Sequence, residues 1–352
     1  MSSNHRNNPA FWLVIFAFFA ILLYLLRSIL LPFVLGGLVG YLFTPLVNKF
    51  TKLKINRTTA SCLVLLLIVI IALPALLALC YFAEVQINNF IATTPLYIDS
   101  LTSKISSLLS TLQESFPALS KQSIMEYLQN NLSQTTKFIG KILQKIISGS
   151  FAFFNILSLL LITPVVAFYM LRDWPSLIHH IDELIPKSAK KDVRSQARAV
   201  DEIISSFIRG QTSVCLLLGS FYALGLSIIG LDLGLLVGLI AGIISFIPYV
   251  GSITGFILSL ALAVAQFNSI SPIIAVVMVF VTGQFLEGNF LTPKLVGDSV
   301  RLHPLWIMFA LLAGGVLLGF LGLMIAVPLA AVIGVLTRYA ITRYKQSSIY
   351  KN

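Results

Sequence analysis

A series of long apolar runs constrains this chain more than any other feature. An α-helix rises 1.5 Å per residue, so about 20 apolar residues cross a hydrocarbon core about 30 Å thick. Only 11% of the 352 residues are charged and 57% are hydrophobic, which leaves too few charges to cover a soluble globule of this size. A soluble enzyme, a disordered scaffold and a disulfide-stapled secreted domain are therefore excluded. The apolar runs cover 11–26, 29–47, 60–82, 151–171 and 207–229.

The polar stretches between the apolar runs divide the chain into six predicted segments. The first apolar run has no small-residue cleavage site after it, so we interpret it as a retained span rather than a signal peptide. In chain order, the segments are three N-terminal transmembrane helices over 1–83, an extracytoplasmic amphipathic helical segment over 84–150, a transmembrane helix over 151–171, a cytoplasmic amphipathic segment over 172–206, a C-terminal transmembrane core over 207–337 and a basic cytoplasmic tail over 338–352.

Glycine and proline interrupt the apolar sequence of the C-terminal core. The short runs 233–247 and 252–265 are separated by Pro248 to Gly251, and the run 305–336 contains four glycines before Pro328. Such breaks leave backbone N–H and C=O groups without helical partners. These groups are tolerated only where protein buries them or where they line a water-filled cavity. We therefore predict an all-α polytopic membrane protein with about eight transmembrane helices, including Gly/Pro-interrupted short helical hairpins in the C-terminal half. Paired interruptions of this kind also indicate a transport site.

The distribution of basic residues predicts the orientation of the chain. Lys and Arg in short loops accumulate on the cytoplasmic side. With a cytoplasmic N-terminus, 18 of the 24 Lys and Arg residues lie on that side. This requires the run 305–336 to form a hairpin of two short arms, because a single helix would place the basic tail outside. We interpret the net charge of +11 as an orientation signal and expect no nucleic acid partner.

Glu287 is the acidic residue that stands out. It is the only acid between Asp232 and Asp298, and it follows an apolar stretch. A carboxylate at membrane depth is costly and suggests a proton relay or a cation ligand. The alternative is a position at headgroup level, paired with Lys294 or Arg301. Asp232 is expected to be solvated at an outer turn.

Other chemistry is not indicated by the sequence. There is no G-x-x-x-x-G-K-[ST] phosphate loop, so ATP-driven transport by this chain is not expected. No Ser/His/Asp set or H-E-x-x-H motif supports an enzyme, and we predict neither a cofactor nor a metal site. We assign no metal to the pair His179-His180, and the three cysteines lie in or beside apolar runs.

Several motifs from residue 168 onward resemble those of the autoinducer-2 exporter family of bacterial permeases. Together they are specific, whereas each alone is weak. They are Phe168-Tyr169-x-x-Arg172-Asp173, Arg209-Gly210-Gln211, Ile247-Pro248-Tyr249-Val250-Gly251, Gly283-Gln284-x-x-Glu287-Gly288-Asn289-x-x-Thr292-Pro293-Lys294, Leu302-His303-Pro304 and Gly314-Gly315-x-x-x-Gly319-x-x-Gly322.

The resemblance implies a multi-pass protein of the bacterial inner membrane with about seven or eight spans. Members are proposed to export autoinducer-2 or to act as Na⁺(Li⁺)/H⁺ antiporters. The family offers no catalytic signature, so its motif positions are carried over as candidates without assigned roles. The transport-pathway candidates are Pro248, Tyr249, Gly251, Gln284, Glu287, Asn289, Pro293 and Pro304, and the gating or packing glycines are Gly314, Gly315, Gly319 and Gly322.

Three functions remain open from the sequence. The leading hypothesis is a secondary permease that exports a small polar signal or metabolite such as autoinducer-2, with H⁺ or Na⁺ as a coupling ion. The second is a Na⁺(Li⁺)/H⁺ antiporter that uses Glu287. The third is a non-transporting membrane scaffold that binds a partner through 84–150. The expected partners are the lipid bilayer and a small-molecule or cation substrate, and a homo-oligomer is left open.

The predicted orientation is tested with alkaline phosphatase fusions, since this enzyme is active only outside the cytoplasm. A fusion at the C-terminus should be inactive, because both termini are predicted to be cytoplasmic. A fusion within 84–150 is the positive control and should be active. An active C-terminal fusion would contradict the hairpin over 305–336.

Overall fold

The computed structural model describes residues 25–115, 150–297 and 302–351, together with Phe18 and Leu22. The regular elements in these ranges are helices, which confirms the all-α polytopic class. Five of them are long and apolar enough to cross a membrane, and three further apolar helices are shorter. In chain order they are α1 (Arg27–Lys52), α2 (Arg57–Ser115), α3 (Ser150–Glu183), α4 (Lys190–Ile228), α5 (Gly234–Ile244), α6 (Val250–Gln266), α7 (Ile270–Leu286), a π-helix (Glu287–Val296), α8 (Pro304–Leu318), α9 (Phe320–Gln346) and α10 (Ser348–Lys351).

Several helices continue beyond the apolar runs from which spans were predicted. α2 continues past the predicted span 60–82 into the segment 84–150 without a break. α3 and α4 likewise extend into the polar segment 172–206. The length of an apolar run predicts only the part of a helix that lies in lipid. The hydrogen bonding of the helix can continue into the polar sequence that follows. The stretch 116–149 lies outside the described residues, as does the predicted span 11–26 except at isolated positions.

The predicted hairpin over 305–336 is present, but only its first arm is short. α8 and α9 are separated by Gly319, whose φ of +63° lies in the left-handed region that glycine adopts at little cost. α9 then passes through Pro328 and continues to Gln346. The second arm is therefore longer than expected, because its helix extends from the apolar run into the basic tail.

The chain forms two compact units, and small residues allow close helix packing within the first. This unit consists of Met1–Leu66, Leu157–Arg209 and Asp298–Asn352. A Cβ on Gly36 of α1 would lie 2.6 Å from the Cβ of Val166 on α3. A Cβ on Gly40, one turn later, would lie 2.8 Å from the Cβ of Met170. Such small-residue stripes are typical of membrane helix contacts.

Glycines also bring α8 and α9 together. A Cβ on Gly314 would lie 2.6 Å from the carbonyl oxygen of Gly322, and a Cβ on Gly322 would overlap the backbone of Gly314. A Cβ on Gly315 would be 3.2 Å from the side chain of Leu323. Three of the four glycines singled out in the sequence therefore lie at this contact, and the fourth forms its turn.

The polar end of the first unit is fastened by charged side chains. Arg57 Nε donates hydrogen bonds to the carbonyl oxygens of Leu171 and Arg172, at 2.9 and 3.1 Å. Asp182 accepts two hydrogen bonds of 2.6 Å from Arg194 and lies 2.9 Å from the Lys190 ammonium. These contacts join the beginning of α2 to the interior of α3 and hold the turn between α3 and α4.

The second unit consists of Leu67–Ile156 and Gly210–Gly297. Within it, α5 lies directly against α4 because both helices offer glycine at the contact. A Cβ on Gly238 would overlap the backbone of Ala223, and a Cβ on Gly242 would overlap that of Gly219. In lipid, close van der Waals packing of this kind replaces the hydrophobic drive that joins helices in water.

The polar part of α2 is hydrogen-bonded to the end of α6. Lys104 Nζ donates to the carbonyl oxygens of Val264 and Phe267, at 2.8 and 2.7 Å, and so satisfies acceptors that the helix end leaves unpaired. Asp232 is half-buried and accepts a hydrogen bond from the Tyr97 hydroxyl. It is therefore not the solvated residue that we expected, because α2 continues far enough to cover it.

The packing of α8 against α9 is tested by replacing Gly322 with alanine. The added methyl group must separate two backbones, so the substitution should destabilise the protein by about 1–3 kcal/mol, as overpacking does. Gly37→Ala is the matched control, because nothing lies within 4 Å of its Cβ position. Thermal unfolding in detergent should show a lower midpoint for Gly322→Ala only. Equal midpoints for both variants would contradict the close contact.

Candidate functional site

The break between α5 and α6 brings polar backbone into an apolar part of the second unit. Residues 245–249 separate the two helices, and Tyr249 has a φ of +69°, which is unusual for a residue with a side chain. A Cβ on Gly251 would overlap the backbone nitrogen of Ser245, so only glycine allows the chain to fold back this closely. Backbone strain of this kind is concentrated at functional sites.

Gln211 of α4 satisfies one of the backbone groups that the break frees. Its Nε2 donates a 2.6 Å hydrogen bond to the carbonyl oxygen of Ser245, and both residues are buried. The Ser245 hydroxyl in turn donates to the carbonyl oxygen of Ala241, at 2.8 Å. Side chains therefore satisfy part of the backbone that the break frees.

Three polar side chains meet beside this break. Gln284 Nε2 donates one hydrogen bond to Ser252 Oγ and one to Glu287 Oε2, both of 2.7 Å, which uses both hydrogens of its amide nitrogen. Ser252 Oγ also lies 3.4 Å from Glu287 Oε2, longer than a typical O–H···O bond. Ser252 is 4% exposed, whereas Glu287 is half-buried. We name Ser252, Gln284 and Glu287 the polar triad.

A buried tyrosine forms the floor of the polar triad. The Tyr222 hydroxyl lies 3.4 Å from Ser252 Oγ, and its side chain is fully buried. Its ring stacks on Phe280 with the ring centroids 4.6 Å apart. A Cβ on Gly283 would lie 2.6 Å from the Tyr222 hydroxyl, so this glycine makes room for the phenol beside α7.

Glu287 is also the first residue of the π-helix. The widened turns continue α7 directly and include Pro293, and the backbone N–H of Gly297 donates to the carbonyl of Thr292, five residues earlier. Proline removes one backbone donor and crowds the preceding turn, which a wider helix relieves. π-helical turns are rare and often occur at functional sites.

The Glu287 carboxylate is hydrogen-bonded by neutral donors and not paired with a cation among the described residues. Within the described residues Glu287 forms no salt bridge. The Lys294 ammonium lies 6.0 Å from the centroid of the Phe290 ring instead, and Arg301 is outside the described residues. A carboxylate in this setting can take up a proton or a small cation without first breaking an ion pair.

The structure brings together some of the sequence-derived candidates and separates others. Gln284 and Glu287 meet, Pro248 and Tyr249 lie in the adjoining break, and Gly251 is the second residue of α6. The remaining candidates lie elsewhere. Asn289 is exposed and donates to the carbonyl of Phe285, Pro293 lies within the π-helix, Pro304 begins α8 in the first unit, and Gly314, Gly315, Gly319 and Gly322 belong to the α8–α9 hairpin.

Ser252 and Tyr222 were not predicted from the sequence. Ser252 directly follows Gly251 in the break motif, and that adjacency was a usable signal. Tyr222 lies in the middle of an apolar span, where its hydroxyl needs a hydrogen-bonding partner. The identity of that partner required the fold, since the two residues are far apart in sequence.

A helical membrane protein with broken helices beside a partly buried polar cluster is of the permease class. Comparison with known sequences defines the family more narrowly: the profile described as "AI-2E family transporter" matches residues 13–341. The chain belongs to the AI-2E transporter family. It is thus a membrane transporter that lies in a lipid bilayer and handles a small-molecule substrate, and the family is one of transporters rather than enzymes.

Three relatives illustrate the similarity. YrrI of Bacillus subtilis (strain 168) is 36% identical over 208 residues, which are 58% of this chain and 58% of YrrI. YueF of the same strain is 26% identical over 88% of this chain and 83% of YueF. The AI-2 transport protein TqsA of Escherichia coli (strain K12) is 24% identical over 87% of this chain and 84% of TqsA.

The polar triad is tested by removing the Ser252 hydroxyl. Ser252→Ala removes the hydrogen bond from the exposed Gln284 amide, so it should destabilise the protein by about 0.5–1.5 kcal/mol. Thr254→Val is the matched control, because the Thr254 hydroxyl bonds only to carbonyls of its own helix. Thermal unfolding in detergent measures both variants. A Ser252→Ala protein as stable as the control would contradict the triad.

Proposed function

We propose that this protein is a secondary permease that exports a small polar signal or metabolite, with autoinducer-2 as the first compound to test. Its proposed location is the bacterial inner membrane, with both termini in the cytoplasm. Membership in the AI-2E transporter family supports transport over a membrane scaffold, and one relative is named as an AI-2 transport protein. The observation that carries the proposal is the polar triad beside the break between α5 and α6.

The triad suits a hydroxylated solute because it offers both donors and acceptors. Ser252 and the amide of Gln284 can each donate and accept, and Glu287 accepts when it is ionised. A bound hydroxyl group would exchange hydrogen bonds with these groups rather than leave any of them unpaired, which is what makes polar recognition specific. Pro248, Tyr249 and Gly251 would shape the approach to this site as part of the proposed pathway.

Glu287 is the proposed coupling residue. Its carboxylate has neutral partners, so adding H⁺ or Na⁺ changes the net charge of the site by one. A ligand shifts a conformational equilibrium only by its different affinity for the two states. A group that is charged in one state of the cycle and neutralised in the other provides such a difference.

A Na⁺(Li⁺)/H⁺ antiporter is the second candidate, and the ligand types of the triad favour it. Carboxylate, hydroxyl and amide oxygens are hard ligands of the kind that small cations bind. The amide of Gln284 would have to turn its oxygen toward the cation, because its nitrogen faces Glu287 in the present arrangement. The exporter therefore remains our first proposal.

Transport in proteoliposomes distinguishes the two functions. Under imposed ΔpH or Na⁺ gradients, wild-type protein should move labelled autoinducer-2, and Glu287→Gln should lower gradient-driven flux at least about tenfold because the side chain can no longer change charge. Glu84→Gln, at an exposed carboxylate, is the matched control and should be neutral.

Two other results of this experiment would change or refute the proposed function. No autoinducer-2 flux in wild-type protein, together with a Na⁺-driven ΔpH that Glu287→Gln abolishes, would replace the exporter with the antiporter. If wild-type liposomes that hold a stable ΔpH show neither autoinducer-2 transport nor Na⁺-driven proton transport, both proposed functions are refuted.

A further inference from the structure

The first unit contains a cavity that no predicted site residue lines. Its volume is about 120 Å³, and it lies among α1, α3 and α4. A buried apolar cavity of about 150 Å³ accommodates benzene, so this smaller, open cavity holds about five non-hydrogen atoms and leaves the rest of a larger ligand outside. The side chains that give it chemical character are Tyr41, Thr44, Trp174, Asp201, Ser205 and Arg209.

Two aromatic rings and a carboxylate are among the groups that line this cavity. The rings of Tyr41 and Trp174 meet edge to face, with centroids 6.0 Å apart and an angle of 63° between their planes. Asp201 lines the same cavity as these rings, so its carboxylate lies near them. Aromatic faces combined with a carboxylate are the arrangement by which proteins bind organic ammonium groups.

The cavity lining also carries the positive charge of Arg209. Arg209 follows Asp201 by eight residues on α4, about 12 Å along the helix axis, and helical side chains lean back toward the N-terminus and so toward Asp201. A guanidinium has five N–H donors, so it can bind an anion and keep its other contacts. Charges of both signs at one cavity fit a zwitterion better than a simple cation.

We propose that this cavity is a binding site for a small zwitterion, with its ammonium group between Tyr41, Trp174 and Asp201 and its anionic group toward Arg209. The hydroxyls of Thr44 and Ser205 supply acceptors for ammonium N–H groups. The ligand is either a free metabolite or the headgroup of a zwitterionic lipid, which share this chemistry. The site is separate from the polar triad and does not depend on the proposed transport substrate.

The natural reporter of this site is Trp174. The chain has three tryptophans, so a variant with Trp12→Phe and Trp306→Phe leaves Trp174 as the only one. Phosphoethanolamine added to this protein in detergent should give a saturable change in Trp174 emission. Inorganic phosphate and ethanolamine, each with one charged group, should bind at least about tenfold more weakly, which corresponds to 1.4 kcal/mol.

The role of Asp201 is tested by comparing a substitution at Asp201 with one at the neighbouring carboxylate Glu202. Asp201→Asn should raise the apparent Kd for phosphoethanolamine about tenfold or more, because the ammonium loses its charged partner. Glu202→Gln removes the same charge one residue along α4, outside the cavity lining, and should change Kd less than about twofold. Melting temperatures and size-exclusion profiles establish that both variants are folded.

Three results would overturn the proposal. They are no saturable change with phosphoethanolamine, equal weakening by the two substitutions, and binding of inorganic phosphate as tight as that of phosphoethanolamine. No saturable change would mean that no site exists. Equal weakening would mean that Asp201 acts only through the overall electrostatic field of the protein. Tight binding of inorganic phosphate would mean that the cavity binds anions alone.

Nanodiscs distinguish the two sources of the ligand. Phosphoethanolamine binding that is lost in phosphatidylethanolamine nanodiscs but kept in phosphatidylglycerol nanodiscs would identify a lipid headgroup as the occupant. Equal binding in both nanodiscs would identify a free metabolite. Loss of binding in both, when detergent-solubilised protein binds, would overturn the site in its membrane setting.

Discussion

Within the hydrocarbon core, each backbone N–H and C=O must find its partner inside the protein, and the rest of this structure depends on that constraint. Continuous helices meet it automatically. The break at 245–249 does not, so side chains must compensate, and Gln211 does so at the carbonyl of Ser245. The polar groups needed to support a broken helix are thereby placed next to Ser252, where the candidate site forms. The side chains that support the break and those that form the candidate site therefore lie in the same small polar region.

Close glycine contacts are the second consequence of the lipid environment. Lipid tails are as apolar as leucine, so helices gain little from burying apolar surface against each other and depend on contact distance instead. Glycine provides that distance at Gly238 and Gly242 in one unit and at Gly314 and Gly322 in the other. At Gly283 the same absence of a side chain serves the site itself, because it admits the Tyr222 phenol.

Charge is scarce in this chain, and its few carboxylates have different surroundings. Asp182 is paired with Arg194 and Lys190, which lower its pKa, so it stays ionised and clamps a turn. Glu287 has only neutral partners among the described residues, so its charge is free to change in a transport cycle. Asp201 lines an open cavity together with Tyr41, which suits a ligand of opposite charge. The surroundings, more than the residue type, set each role.

The sequence by itself determined the membrane class, the interrupted helices of the C-terminal half and the prominence of Gln284 and Glu287, because apolar length, glycine, proline and isolated acids are local signals. It did not determine where helices end, since α2 continues far beyond its apolar run. Nor did it identify Ser252, Tyr222 or the pairing of Asp232 with Tyr97. Those depend on which helices pack together, and partners distant in sequence become neighbours only when the tertiary structure forms.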